Sequence, residues 1–110
     1  LAMNRAREAM LSVRRGLDQD PNSADLRLLL GRVLLRLGNQ AEAAAAFQQA
    51  ARLAPAMVEP VLDLAALLLA TGQEAEVRDA LARLLMREDL SPTQRAEAET
   101  LMARLPGASR

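Results

Sequence analysis

The chain has 110 residues, about half of them apolar, with fourteen arginines balanced by fourteen carboxylates and Phe47 as its one aromatic side chain. It contains no Cys, His, Lys, Trp or Tyr, which excludes a disulfide framework and the usual zinc, iron or copper ligand sets. Zero net charge argues against nucleic acid or an anionic membrane surface as the main partner, and the length suits one small domain.

Ala and Leu dominate, and β-branched residues are scarce, so helices are expected throughout. Residues 3–18 form the first, ended by Asp20-Pro21-Asn22-Ser23. Ser23 or Asn22 can cap the second, which carries Leu26, Leu29 and Leu30 with Asp25 in its first turn. Gly38-Asn39 ends it, a third helix covers 40–53, and Ala54-Pro55 follows. Pro60 stands in the first turn of the fourth, where a missing N–H costs little. Its apolar stretch, Val61 to Ala70, is about half the length a bilayer needs and is interrupted by Asp63. Thr71-Gly72 ends it and a fifth helix follows. Ser91-Pro92-Thr93-Gln94 then reads as a capping box opening a sixth over 92–105, before Pro106-Gly107.

The breaks are periodic. Gly38 and Gly72 are 34 residues apart, as are Pro21 and Pro55, and Leu105-Pro106 falls one further step along. Shifting back by the same step lays Arg7-Glu8-Ala9 on Ala41-Glu42-Ala43. A 34-residue period of two helices marks a helical solenoid. Gly31 and Ala43 lack bulk where two antiparallel helices must approach, and Phe47 is read as filling the gap between one hairpin and the next. Pro55 then ends the unit.

Arg27-x2-Leu30-Gly31-x2-Leu34, followed by Ala43-x3-Phe47, Ala50 and Pro55, resembles the tetratricopeptide-repeat signature. Arg27 and Leu34 stand in its aromatic slots. A degenerate copy follows in Val61-x2-Leu64-Ala65-x2-Leu68 and Val77-x3-Leu81, with its proline late at Pro92. The resemblance implies an all-α fold, a right-handed superhelix of antiparallel hairpins with about six helices. The expected division of one domain, 1–110, is a partial repeat over 1–21, full repeats over 22–55 and 56–90, and a capping helix over 91–106. Residues 3–18 are then a second helix without its first, so the stripe of Ala6, Ala9, Met10, Val13 and Leu17 loses part of its cover. Glu99 stands where Gly31 and Ala65 stood, and burying it against a following helix would be costly. A solvating cap at the end of an array begun upstream is therefore expected, the alternative being a degenerate repeat that continues.

Arrays of this family bind peptides or helices in the groove lined by the first helix of each hairpin. Helical spacing puts Leu28, Arg32, Leu35 and Arg36 on that face, then Leu62, Ala66, Leu69 and Ala70, with Ala96, Thr100, Ala103 and Arg104 from the last helix. An apolar strip edged by arginine results, suited to an amphipathic helix or extended apolar segment whose carboxylates meet Arg32, Arg36 and Arg104. The carboxylates are expected elsewhere. The same leucines also suit plain core packing, or a homo-oligomer through the N-terminal helix. Carboxylate-clamp binding of chaperone peptides, known in this family, needs Lys and Asn that this face lacks.

No other constellation carries chemistry. Arg5, Arg7, Arg14 and Arg15 are answered by Glu8, Asp18 and Asp20, without interleaved aromatics. Glu74/Glu76 and Glu97/Glu99 are expected to face solvent, and Ser12, Ser23 and Ser91 have no activating base. Gly16, Gly38 and Gly72 read as helix-end punctuation, and Met3, Met10, Met57, Met86 and Met102 as gap-fillers.

The expected function is a non-catalytic protein-interaction module without cofactors, part of a larger bacterial assembly such as a scaffold for exopolysaccharide export, pili or an envelope complex. The alternative is a spacer or homo-oligomerisation segment of a longer array. Arg used to the exclusion of Lys fits a GC-rich bacterial genome, in the cytoplasm or periplasm. The absence of an initiator Met and of a signal peptide fits a piece of a longer protein.

Overall fold

A computed structural model describes residues 2–106, with side chains from Asn4 onward. Met3 as a gap-filler and Gly107 as a turn residue lie outside the described side chains. Among the described residues there are six helices and no strand: α1 (Ala2–Gln19), α2 (Ala24–Arg36), α3 (Gln40–Leu53), α4 (Glu59–Ala70), α5 (Glu74–Leu85) and α6 (Pro92–Ala103). The fold is the all-α helical repeat that the 34-residue period implies. The backbone groups into two compact units, residues 1–60 and 61–110.

In the first unit α1 packs on α2 and α2 on α3. The buried residues include Ala6 and Val13 of α1, Leu28, Val33 and Leu34 of α2, and Ala43, Ala46, Phe47 and Ala50 of α3. Ala9, Met10 and Leu17 of α1 are half-buried. Gly31 lies under the Phe47 ring: a methyl group on Gly31 would stand 2.5 Å from Phe47 Cδ1 and 2.9 Å from Cζ. Phe47 thus fills space within its own hairpin, against Gly31, where the sequence reading set it between hairpins. Small residue and large ring complement each other across one helix crossing.

Gly16 corrects the sequence reading as well. It lies inside the last turn of α1, and a methyl there would meet Leu26 Cδ1 at 2.9 Å. It permits the close approach of α1 and α2 instead of ending a helix. Ala50, one period later, is fully buried in the corresponding small-residue position.

Gly38 does end a helix. Its φ of 83° is in the left-handed region that side chains disfavour. The Gly38 N–H donates to the Leu35 carbonyl (3.0 Å) and the Asn39 N–H to Leu34 (2.9 Å), a Schellman closure that satisfies two carbonyls otherwise left open. Gly72, at φ 81°, repeats it for α4: Gly72 N–H to Leu69 (3.2 Å) and Gln73 N–H to Leu68 (2.9 Å). A methyl at either glycine would meet no atom within 4 Å, so only the backbone conformation opposes it. Gly38→Ala and Gly72→Ala are each expected to cost about 1 kcal/mol. Urea titration checks this, and a change of either variant's midpoint in the stabilising direction would contradict the assignment.

Two helix starts, those of α2 and α6, are fixed by side chains. The Leu26 N–H donates to Ser23 Oγ at 3.1 Å, capping α2. Ser91 and Gln94 close a reciprocal capping box at α6, with Pro92 at its first position. This is the arrangement expected from the sequence. Asn39 and Gln73, which precede α3 and α5, make no side-chain cap bond.

The second unit buries Leu62, Ala65, Leu67 and Leu68 of α4, Val77, Leu81 and Leu84 of α5, and Ala98, Leu101 and Leu105. Helix α5 packs on α6, and Arg95 ties the two together. Its Nη1 donates to the Leu85 carbonyl (3.2 Å) and its Nη2 to the Arg87 carbonyl (2.7 Å), placing a cation on the negative end of α5. Arg87 in turn forms a two-pronged bond with Asp89, at 2.9 and 2.7 Å. The hydrogen bonds from Arg87 hold the Asp89 carboxyl below its ordinary value. Where the sequence reading carries the last helix to residue 105, α6 stops at Ala103, and short-range bonds from Arg104 to Leu101 and Leu105 to Met102 close it. Pro106 stands where Gly38 and Gly72 stood, and proline has neither their N–H nor their left-handed φ.

Candidate functional site

Two open clefts gather the expected groove residues, one in each unit. In the first unit a cleft of about 590 Å³ runs between α1 and α2, floored by Ala6, Ala9, Leu29 and Val33. Arg5 of α1 and Arg32 and Arg36 of α2 edge it. The antiparallel course of the two helices sets Arg5, near the start of α1, beside Arg36, at the end of α2.

In the second unit a cleft of about 370 Å³ lies between α4 and α6. Leu62 and Ala66 of α4 face Ala96, Thr100 and Leu101 of α6, with Arg104 at the end of the helix. Asp63, Thr93 and Glu97 also line it. The rim here carries both signs of charge, whereas the sequence reading set the carboxylates away from the groove. Helical spacing holds the missed signal: Asp63 is three residues before Ala66 and Glu97 three before Thr100, so each shares a face with its partner.

The expected groove residues therefore divide. Arg32 and Arg36 line the first cleft, and Leu62, Ala66, Thr100 and Arg104 the second. Leu28, Leu35, Leu69 and Ala70 line neither. Leu28 is only 6% exposed, so a charge introduced there would strike the core and say nothing about a groove. The exposed apolar side chain of α2 is Leu29, at 45%.

Arg27, in the slot of a signature aromatic, acts as a tie. Its Nη1 donates to Gln49 Oε1 of α3 (2.9 Å) and its Nη2 to the Pro21 carbonyl (3.0 Å). Its Nε is buried without a hydrogen-bond partner. With both terminal nitrogens engaged in holding α2 to α3 and to the preceding turn, this guanidinium has a structural task.

The remaining signature residues fall in the core or at the hairpin's end. Gly31, Leu34, Ala43, Phe47 and Ala50 are buried, Leu30 is half-buried, and Pro55 is exposed in the linker after α3. The tetratricopeptide-repeat family model matches residues 24–56, which span α2, the Gly38 turn, α3 and the start of that linker. Residues 24–56 are a tetratricopeptide repeat. No curated protein matches the chain. Tetratricopeptide repeats are generally protein-interaction modules, and the repeat suggests protein partners.

Among the described residues no cluster of three or more acidic side chains is placed to hold a metal ion. Glu76, Glu97 and Glu99 are exposed and Glu74 half-buried. Among the described residues no helix is long and apolar enough to cross a membrane.

Proposed function

We infer that the chain is a docking module that holds a helix or peptide of a protein partner in the α4–α6 cleft, within a larger assembly. The cleft itself carries this reading: an apolar floor of Leu62, Ala66, Ala96 and Leu101 is bordered by Thr93, Thr100, Asp63, Glu97 and Arg104. Apolar floors supply affinity and the polar rim fixes orientation. Glu97 attracts a basic side chain of the ligand, and Arg104 a carboxylate. Leu62 is 5% exposed, so it shapes the floor from below while exposed Ala66 and Thr100 meet the ligand.

A displayed library of random peptides tests this directly. Peptides selected on the chain are expected to lose about tenfold or more in affinity on Ala66→Arg, a loss of about 1.4 kcal/mol or more. Ala66 is exposed, so helicity by circular dichroism should be unchanged. Selected peptides that bind the variant as well as the parent would reject the α4–α6 cleft as the site.

A further inference from the structure

We propose that the occupant of the α4–α6 cleft is an amphipathic helix, carrying an acidic and a basic side chain two turns apart and lying antiparallel to α6. This rests on the reading of that cleft as a docking site and names what it holds. Glu97 and Arg104 line the cleft and are exposed. Among the described residues neither side chain makes a hydrogen bond or an ion pair, so both charges are available. Asp63 has a partner of its own, which leaves the charge pattern of the ligand to Glu97 and Arg104. Thr100 stands between those two. Its hydroxyl donates to the Ala96 carbonyl at 2.8 Å and keeps its lone pairs for a ligand donor. The cleft is independent of any helix packed after α6. Two periods of 34 carry Gly31, which meets the second helix of its hairpin, onto Glu99. Glu97 and Arg104 stand about 160° and 140° around α6 from Glu99, on the opposite side.

Spacing selects a helix. Glu97 and Arg104 are seven residues apart, and Arg104 keeps helical dihedral angles at the C-cap, so the two lie about 10.5 Å apart along the axis. An opposing helix matches that interval with residues i and i+7, while i+3 and i+4 lay an apolar stripe on the floor between them. A strand covers the same distance in about three residues, and residues i and i+3 of a strand point to opposite faces. It cannot bring both charges to one wall. Ala66 and Ala96 face each other across the cleft and are exposed, and small residues on both walls let a helix come close. Charge then sets the direction. A ligand with its acid towards the N-terminus and its base towards the C-terminus stabilises its own helix dipole. Meeting Arg104 with the acid and Glu97 with the base requires that helix to run antiparallel to α6, its positive end beside the negative end of α6.

The test uses labelled helix-forming peptides of about 18 residues, long enough to hold helical structure. All carry one Leu/Ala stripe, and they differ in bearing Glu then Lys, Glu twice, or Lys twice at positions i and i+7. Fluorescence anisotropy with the whole chain is expected to rank the Glu–Lys peptide about tenfold above either like-charged one. Glu97→Arg should make the Glu–Glu peptide the best ligand, and Arg104→Glu the Lys–Lys peptide. Both positions are exposed, and circular dichroism checks that each variant keeps its helicity. Proline at i+4 of the Glu–Lys peptide should weaken it about tenfold or more. A nitroxide on the first residue of that peptide should broaden amide signals around Arg104 and spare those around Thr93. No binding of the Glu–Lys peptide, equal affinity for all three, an order unchanged in the two variants, undiminished binding of the proline peptide, or broadening around Thr93 would each overturn the proposal. The cleft would still stand as a docking site if Ala66→Arg weakened peptides selected from the random library. Binding of the Glu–Lys peptide that Ala66→Arg leaves unaltered would overturn both.

Discussion

Phe47→Ala is expected to remove about 3–5 kcal/mol of stability, the largest effect of any single truncation in the first unit. The ring is fully buried and is the one aromatic group in the chain, so no neighbouring ring can expand into the space. The far wall of that space is Gly31, which has no side chain to move inward. The cavity therefore stays largely open, and such sites give the high end of the range. A domain of this size has about 5–15 kcal/mol in total, so the variant should lose most of its cooperative unfolding transition. Urea denaturation followed by circular dichroism measures it. A loss below about 1 kcal/mol would mean that the Phe47 ring is not packed as described.

Gly31→Leu approaches the same contact from the other side and is expected to cost about 1–3 kcal/mol through overpacking. Even a methyl group would reach within 2.5 Å of Phe47 Cδ1, so either the ring or the helix crossing must shift. The two substitutions should then be strongly non-additive. Gly31→Ala combined with Phe47→Leu exchanges volume across the contact, and the double variant should be more stable than the two single losses imply, by about 0.5–3 kcal/mol. Simple additivity in that cycle would show that Gly31 and Phe47 do not share a contact.

Much of this was legible in the sequence, because a repeat states its own punctuation. The glycines at 38 and 72, the prolines at 21 and 55 and the small residues at 31 and 43 each answer a backbone or packing need that few residues can meet. With Ser91-Pro92 they mark the breaks between the six helices, and the capping signals at Ser23 and Ser91 mark two starts. What periodicity does not say is which of two apolar faces a neighbouring helix covers. Leu28 and Leu29 are adjacent leucines, yet one is buried and the other is 45% exposed, a difference that tertiary packing decides. Asp63 and Glu97 are missed for the opposite reason: a carboxylate amid apolar residues reads as an interruption of a stripe, although both line the α4–α6 cleft. Arg27 shows a third limit. A cation in an aromatic slot has no place in a pattern of hydrophobicity, and its role is visible only through its bonds to Gln49 and Pro21.

The two glycine closures have an evolutionary consequence. Each reverses the chain through main-chain bonds alone, at Leu34–Leu35 and at Leu68–Leu69, and neither following helix relies on a side-chain cap at Asn39 or Gln73. Such a joint carries no lock-and-key dependence on its surroundings. A crossover between two gene copies that misaligns one glycine on the other would add or remove 34 codons and leave a closed joint on both sides. Array length can thus change in a single genetic event, while the residues on the helix faces diverge one by one.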